Sequence, residues 1–245
     1  MTRIFFVAGE SSGDIHGANL IRAIREQAPT VDCAGLGGKH MASAGMTLRH
    51  DLAGEAIMGF TEVVRKFPRI RRLFHETLAF LKSSPPDCLV LIDYPGFNLR
   101  LAREVKRLGI PIVYYISPQV WAWKKKRIFT IAKLVRKMLV ILPFEETLYR
   151  TLGVDCTFVG HPLLDHIART PIEGQFRDGL VIGLMPGSRE QEIARLMPLM
   201  AAVARGIAHT HPEARFVTPC VDPAREAQVR ALTGDLPLET IIGNT

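Results

Sequence analysis

The sequence predicts an α/β fold of the doubly wound kind, parallel sheets covered on both faces by helices, in two units. Three observations carry the prediction. Short apolar runs such as RIFFVA at the start and CLVLI near residue 90 show no in-and-out alternation, so both of their faces are buried. Amphipathic stretches at helical spacing separate these runs. At 245 residues, with 47% apolar and 22% charged side chains, the chain can bury a sizeable core as one large domain or two smaller ones.

Arg3–Ala8 reads as a buried strand that runs into a turn of small residues. Residues 17–27 then place Leu20, Ile21 and Ile24 on one helical face. Residues 31–36 form a second strand, ended by Gly35, Gly37 and Gly38. In the basic stretch that follows, Pro68 is expected to break or start a helix. Residues 87–93 form a strand that ends on a carboxylate, and Asn98 is expected to cap a helix over residues 99–108. Strands follow at residues 112–116, 137–142 and 156–159. Residues 164–179, with Pro171, Gly174 and Gly179, read as a linker. A strand at residues 180–185 opens the second unit. After it come the helix Glu190–Thr210, a strand at 215–219, a helix at 223–232 capped by Asp222, and a strand at 240–242. About three strands and two helices are too few to close a doubly wound domain. The expected division is therefore a domain over 1–168, then a linker and an incomplete second domain over 169–245.

The charge is uneven. Residues 1–150 hold 23 basic and 13 acidic side chains, a net +10; residues 151–245 hold 8 and 11, a net −3. Opposite signs point to different tasks for the two units. No apolar run approaches the roughly 18–20 residues of a membrane span. The apolar start at residues 4–8 is too short for a signal peptide, so a cytoplasmic location is expected. The four cysteines (Cys33, Cys88, Cys156, Cys220) are scattered, without a CxxC or Cys/His cluster. No zinc site is expected, and the first three read as buried thiols.

Five segments carry candidate chemistry. In the turn Gly9-Glu10-Ser11-Ser12-Gly13-Asp14, small residues let a ligand approach the backbone at a helix N-terminus. GxGxxG is absent there, and an ordinary tight turn is the alternative. In Ile92-Asp93-Tyr94-Pro95-Gly96-Phe97-Asn98 a carboxylate opens directly off a strand end, where a general base would take a proton from a hydroxyl. A local backbone cap is the competing reading. The segment from Tyr114 to Arg127 brings Ser117, Trp121 and Trp123 next to four consecutive cations. It could stack on bases, lie at lipid headgroups, or form a packed aromatic corner. Five of the eight residues from 65 to 72 are basic and interleaved with Phe67 and Ile70, as in a segment touching anionic lipid or in a core face with a charged back. Finally, Pro186-Gly187-Ser188-Arg189 joins a strand to a long helix. Its amides and guanidinium suit a diphosphate, though Glu190 and Glu192 fit a simple helix cap as well.

Together these segments resemble the lipid-A-disaccharide synthase family of bacterial glycosyltransferases, which has two Rossmann-like domains in the GT-B arrangement. The resemblance rests on VAGESSGDIHG (residues 7–17), MGFTEV (58–63), IDYPGFN (92–98), YISPQVWAW (115–123), LPFE (142–145), VGHP (159–162) and LMPGSREQE (184–192), in the family's order. It implies a cytoplasmic enzyme peripheral to the inner membrane that needs no metal or cofactor. Such an enzyme joins UDP-2,3-diacylglucosamine to 2,3-diacylglucosamine 1-phosphate (lipid X) and releases UDP. By the same resemblance Asp93 is the general base and Arg189 stabilises the diphosphate leaving group. Gly9, Glu10, Ser12, Gly13, Asp14, Asn98, Ser117, Gly187 and Ser188 are then expected at the substrates. Met58, Phe60, Val63, Val64, Phe67, Arg69, Arg71, Arg72, Trp121 and Trp123 are expected at acyl chains and anionic membrane. Family members continue on the order of a hundred residues further, so a fragment is expected that binds UDP-sugar poorly. A non-catalytic remnant that only binds acyl-glucosamine phosphate or membrane stays open as the alternative. Nucleic acid is not an expected partner, because no helix-turn-helix, RNP or zinc-finger signature accompanies the basic half. A nucleotide-sugar epimerase of the same architecture is disfavoured by the SPQVWAW segment.

Overall fold

The computed structural model describes residues 1–54, 60–121, 126–169 and 179–242, with side chains for all of these except 60–67 and 166–169. The chain divides into two compact units, Met1–Thr170 and Pro171–Thr245.

Among the described residues of the first unit, seven strands make one sheet in the order β3-β2-β1-β4-β5-β6-β7. They are β1 (Arg3–Ala8), β2 (Asp32–Gly37), β3 (Thr47–Asp51), β4 (Cys88–Ile92), β5 (Ile112–Tyr115), β6 (Lys137–Val140) and β7 (Asp155–Phe158). Every pairing is parallel. The connecting helices are α1 (Ser11–Gln27), α2 (Lys39–Ser43), α3 (Phe60–Ser83), α4 (Pro95–Arg107), α5 (Arg127–Leu134), α6 (Pro143–Arg150) and α7 (Pro162–Arg169). The period-two geometry of β1 explains its uniform apolarity. Phe5 and Val7 enter one core with Leu73, Leu81, Leu101 and Val105. Phe6 and Ala8 enter a second core with Ala18, Ile21 and Met41. From β1 the chain winds outward to β3, then returns to place β4 on the other side of β1. The winding direction reverses between β1 and β4, the place where folds of this kind bind ligands beyond the strand ends.

In the second unit, β8 (Val181–Gly183), β9 (Arg215–Cys220) and β10 (Leu238–Ile242) form a parallel sheet in the order β10-β9-β8. Helices α8 (Glu190–Thr210) and α9 (Pro223–Thr233) pack with it around Ile193, Met197, Ala201, Phe216 and Val229. No described helix is long and apolar enough to cross a membrane.

Several elements depart from the sequence expectations. Helix α1 starts at Ser11, six residues before the expected start, so Ser12, Gly13 and Asp14 lie in its first turn. Gly13 and Gly17 are buried there, and a Cβ on Gly17 would crowd Met41, so small residues let the helix lie close on its neighbours despite weak propensity. Helix α3 passes through Pro68, because Leu73, Thr77 and Leu81 bury one face of it and tertiary packing outweighs one lost backbone bond. Helix α4 begins at Pro95, so Asn98 is inside the helix and not its cap. Helix α7 takes up part of the stretch read as linker. The short α2 and the edge strand β3 were not anticipated; five residues each give little periodic signal.

Candidate active site

The register Ala8↔Ile92 puts the ends of β1 and β4 side by side, so Gly9 and Asp93 are the first residues beyond the sheet at the reversal point. The turn there is strained. Asp93 and Tyr94 have φ of 42° and 44°, the left-handed region, as does Ile116 (φ 64°) just past β5. Non-glycine residues held there cost about 1–3 kcal/mol each, and such strain gathers at functional sites. The contacts that hold Asp93 in place are visible. Its carbonyl accepts from Asn98 Nδ2 at 2.8 Å and from the Tyr114 hydroxyl at 2.5 Å. Its N–H donates to Tyr115 O at 3.3 Å, and Asn98 Nδ2 also reaches Ile92 O at 3.2 Å. Burial raises the Tyr114 phenol well above its ordinary range, so the hydroxyl stays a donor.

The backbone of Asp93 is thus tied down while its half-buried carboxylate is left out of these bonds. Burial, and next the nearby charge of Glu10, push its pKa up to about 6. A carboxyl at that value is largely ionised at neutral pH and is a stronger base than an ordinary aspartate. Gly9 answers to the same turn: a Cβ there would overlap the Tyr94 ring. Glu10 is the extended residue before α1, and Ser12 is exposed in the helix's first turn.

Other expected ligand contacts have structural tasks in this chain. Asp14 is 3% exposed, and its carboxylate accepts from the backbone of Gly38, His40 and Met41 at 2.8–3.0 Å, capping α2. Asn98 is fully buried and acts on Asp93 from behind. Ser117 is 6% exposed, with its hydroxyl 2.7 Å from the Tyr149 hydroxyl and donating to Pro118 O. Asp14 and Ser117 thus turn their polar atoms to protein groups, while Asn98 Oδ1 is buried without a hydrogen-bond partner among the described residues. Trp121 forms a packed corner, edge-on to Phe144 and donating from Nε1 to buried Glu145 at 3.2 Å. Met58 and Trp123 lie outside the described residues, as do the side chains of Phe60, Val63, Val64 and Phe67. Arg69, Arg71 and Arg72 are exposed along α3.

In the second unit, Gly187 turns the chain at φ 104° and Arg189 is the residue before α8. Ser188 is exposed in this turn but does not cap the helix. Glu192 reaches back to Arg189 from the helix's first turn: its carboxylate accepts from Arg189 N and Nη1, both at 3.1 Å. Those backbone bonds, ahead of the guanidinium, hold the Glu192 carboxyl below its usual range. The turn therefore does bind an anion, supplied here by the protein itself. Among the described residues no group of three His, Cys, Asp or Glu side chains is placed to hold a metal.

An apolar recess lies beside the Asp93 turn. Ile70 and Phe74 of α3, Tyr94, and Phe97 of α4 line a cavity of about 420 Å³, with Arg71 and Arg100 on its polar side. The sequence marked both flanks, residues 65–72 and 92–98, as separate segments, and only packing brings them to one recess.

The two parallel sheets, with candidate groups at their strand ends, define the class as an α/β protein of the GT-B type. UDP-N-acetylglucosamine 2-epimerase of Neisseria meningitidis, solved with UDP-GlcNAc, has the same fold at TM-score 0.66 and 11% identity, over 100% of this chain and 73% of that one. MurG of Acinetobacter baumannii gives TM-score 0.51 at 13% identity, over 100% of this chain and 67% of that one. The chain belongs to the lipid-A-disaccharide synthetase family, which matches residues 4–239. It is 44% identical over 234 residues to lipid-A-disaccharide synthase of Syntrophus aciditrophicus, covering 93% of this chain and 61% of that protein. It is 42% identical over 238 residues to lipid-A-disaccharide synthase 1 of Legionella pneumophila, covering 94% and 62%. The chain thus spans about three fifths of the length of these curated relatives.

Proposed function

We propose that this chain carries the acceptor side, and part of the donor side, of an inverting glycosyltransferase of lipid A biosynthesis. The donor is UDP-2,3-diacylglucosamine and the acceptor is 2,3-diacylglucosamine 1-phosphate. The products are lipid A disaccharide 1-phosphate and UDP. One observation carries the reading: in a chain of this family, Asp93 stands at the sheet's reversal point, fixed through its backbone, with burial pushing its carboxyl up to about 6.

Asp93 takes the proton of the acceptor's 6-hydroxyl as that oxygen bonds to the donor's anomeric carbon. The bond from that carbon to the diphosphate breaks, and its electron pair leaves on UDP. Displacement from the opposite face inverts the anomeric centre. Arg189 and the amides around Gly187 and Ser188 meet the charge that develops on the leaving group, with Glu192 giving way to it. Gly9, Gly13, Glu10 and Ser12 border the acceptor, while Asn98 and Ser117 support the loops. The cations of α3 face the anionic cytoplasmic surface of the inner membrane. This assignment makes the two units the domains of the enzyme.

UDP release from the purified protein with both substrates tests the proposal. Asp93→Asn should slow release by about 10²–10⁴-fold while acceptor binding persists. In a protein of the relatives' full length, undiminished release would overturn the base role, and no release without the substitution would overturn the transferase reading.

A further inference from the structure

We infer that Tyr114 is a positioning residue for the proposed base: its hydroxyl, together with the Asn98 amide, holds the Asp93–Tyr94 turn in a left-handed conformation that the turn would otherwise leave, and so keeps the Asp93 carboxyl in its half-buried place. Its part in turnover rests on the transferase reading, whereas its hold on Asp93 can be measured without turnover.

Two unfavourable features meet at this turn. Asp93 and Tyr94 are consecutive non-glycine residues with φ of 42° and 44°. Such a conformation persists only where the surroundings over-determine it. Beside them Asn98 is fully buried, and its Oδ1 has no hydrogen-bond partner among the described residues. Its amide nitrogen instead donates to Ile92 O and Asp93 O, at 3.2 and 2.8 Å. A buried acceptor left unpaired calls for an explanation, and the Asp93 carbonyl supplies one. That carbonyl also accepts the Tyr114 hydroxyl at 2.5 Å. Tyr114 is fully buried, and the register Leu91↔Tyr114 sets its strand directly beside β4. The phenol therefore reaches the turn from β5, while Asn98 reaches it from α4. Rotating the Asp93 peptide out of the left-handed region would break both bonds. The Asp93 carboxylate takes no part in them, so its place is inherited from its backbone. Among the described residues, Glu10 from the turn after β1 acts on Asp93 and Tyr94, and Tyr149 of α6 and Arg127 of α5 act on Tyr114.

Tyr114→Phe removes only the hydroxyl. Thermal melts of the 245-residue chain compare it with the parent, each with and without Asp93→Asn. In the parent, Asp93→Asn should raise the melting temperature above pH 6 and leave it unchanged below pH 4. In the Tyr114→Phe chain the turn relaxes and the carboxyl returns towards its ordinary 3.8. The gain from Asp93→Asn should then shrink to less than about half. Tyr149→Phe is the control, because it deletes a buried hydroxyl that bonds Ser117 and not Asp93. It should lower the melting temperature and keep the full gain. If Tyr114→Phe does not fold, the parent gives the answer: the Tyr114 Cζ resonance should titrate with a midpoint of about 6, in step with Asp93. A full gain in Tyr114→Phe, or a Cζ resonance flat through pH 6, overturns the inference. In a protein of the relatives' full length, Tyr114→Phe should lower kcat for UDP release about 10–100-fold with both KM values kept. It should also move the pH–rate rise to lower pH, which a merely structural loss would not. Rate and profile both unchanged remove the positioning role and leave the transferase reading. A shrunken gain in the melts, without any UDP release by the unsubstituted protein, leaves the hold on Asp93 and removes that reading.

Discussion

Asp93 is held against its own preferences twice over, in backbone and in charge, and both have measurable consequences. With a folded pKa of about 6 against an ordinary 3.8, its proton is bound more tightly in the folded chain than in the unfolded one. Below about pH 4 both states hold that proton and its contribution to stability is complete. As pH rises through 6 the folded protein must ionise a half-buried acid, and that contribution is lost. Asp93→Asn should therefore raise the melting temperature by roughly a few degrees above pH 6 and leave it unchanged below pH 4, as thermal melts across that range would show. In the proposed reaction the dependence is opposite: with Asp93 as base, the rate should rise through pH 6 as its carboxyl ionises. Glu10→Gln should move that rise to lower pH, because the Glu10 charge is one cause of the upward shift. A pH–rate profile with the rise unmoved would refute the coupling. At this scale the sequence marked Asp93 as a carboxylate off a strand end. Its Tyr114 clamp was not legible, because 21 residues separate the partners and only sheet pairing brings them together.

Among the elements, helix ends decide most of the site. Asp14 ties α1 to α2 through three backbone bonds. Asp14→Ala should cost about 1–2 kcal/mol, read from denaturant unfolding, with Asp14→Asn retaining part of it. The glycine-rich motif was rightly located after β1, but which of its polar groups face inward depends on where α1 starts, and propensity misplaced that start. At α8, Glu192 occupies the Arg189 turn that the proposed reaction assigns to a diphosphate. Glu192→Gln should tighten UDP binding several-fold by titration calorimetry, since a neutral amide holds the guanidinium more weakly. Weaker UDP binding would mean that Glu192 is needed to shape the turn.

At the scale of the whole molecule, each unit has its own core, so a core lesson in one should stay there. Met197 is fully buried in the second unit, and Met197→Ala should cost about 2–5 kcal/mol. Calorimetry should show one transition lowered and the other in place. The net +10 of residues 1–150 fits an anionic partner; binding to phosphatidylglycerol vesicles should weaken as salt is raised. By itself, the sequence determined the class of fold, most of its strands, the uneven charge and the positions of the motif turns. These depend on local composition and periodicity, which act over a few residues. Only the tertiary structure decided that β4 returns beside β1, that Asn98 and Tyr114 serve Asp93, that Asp14 serves α2, and that α3 and α4 enclose a recess. Those facts depend on contacts between residues distant in the chain, and no local signal encodes which distant groups a parallel sheet will bring together.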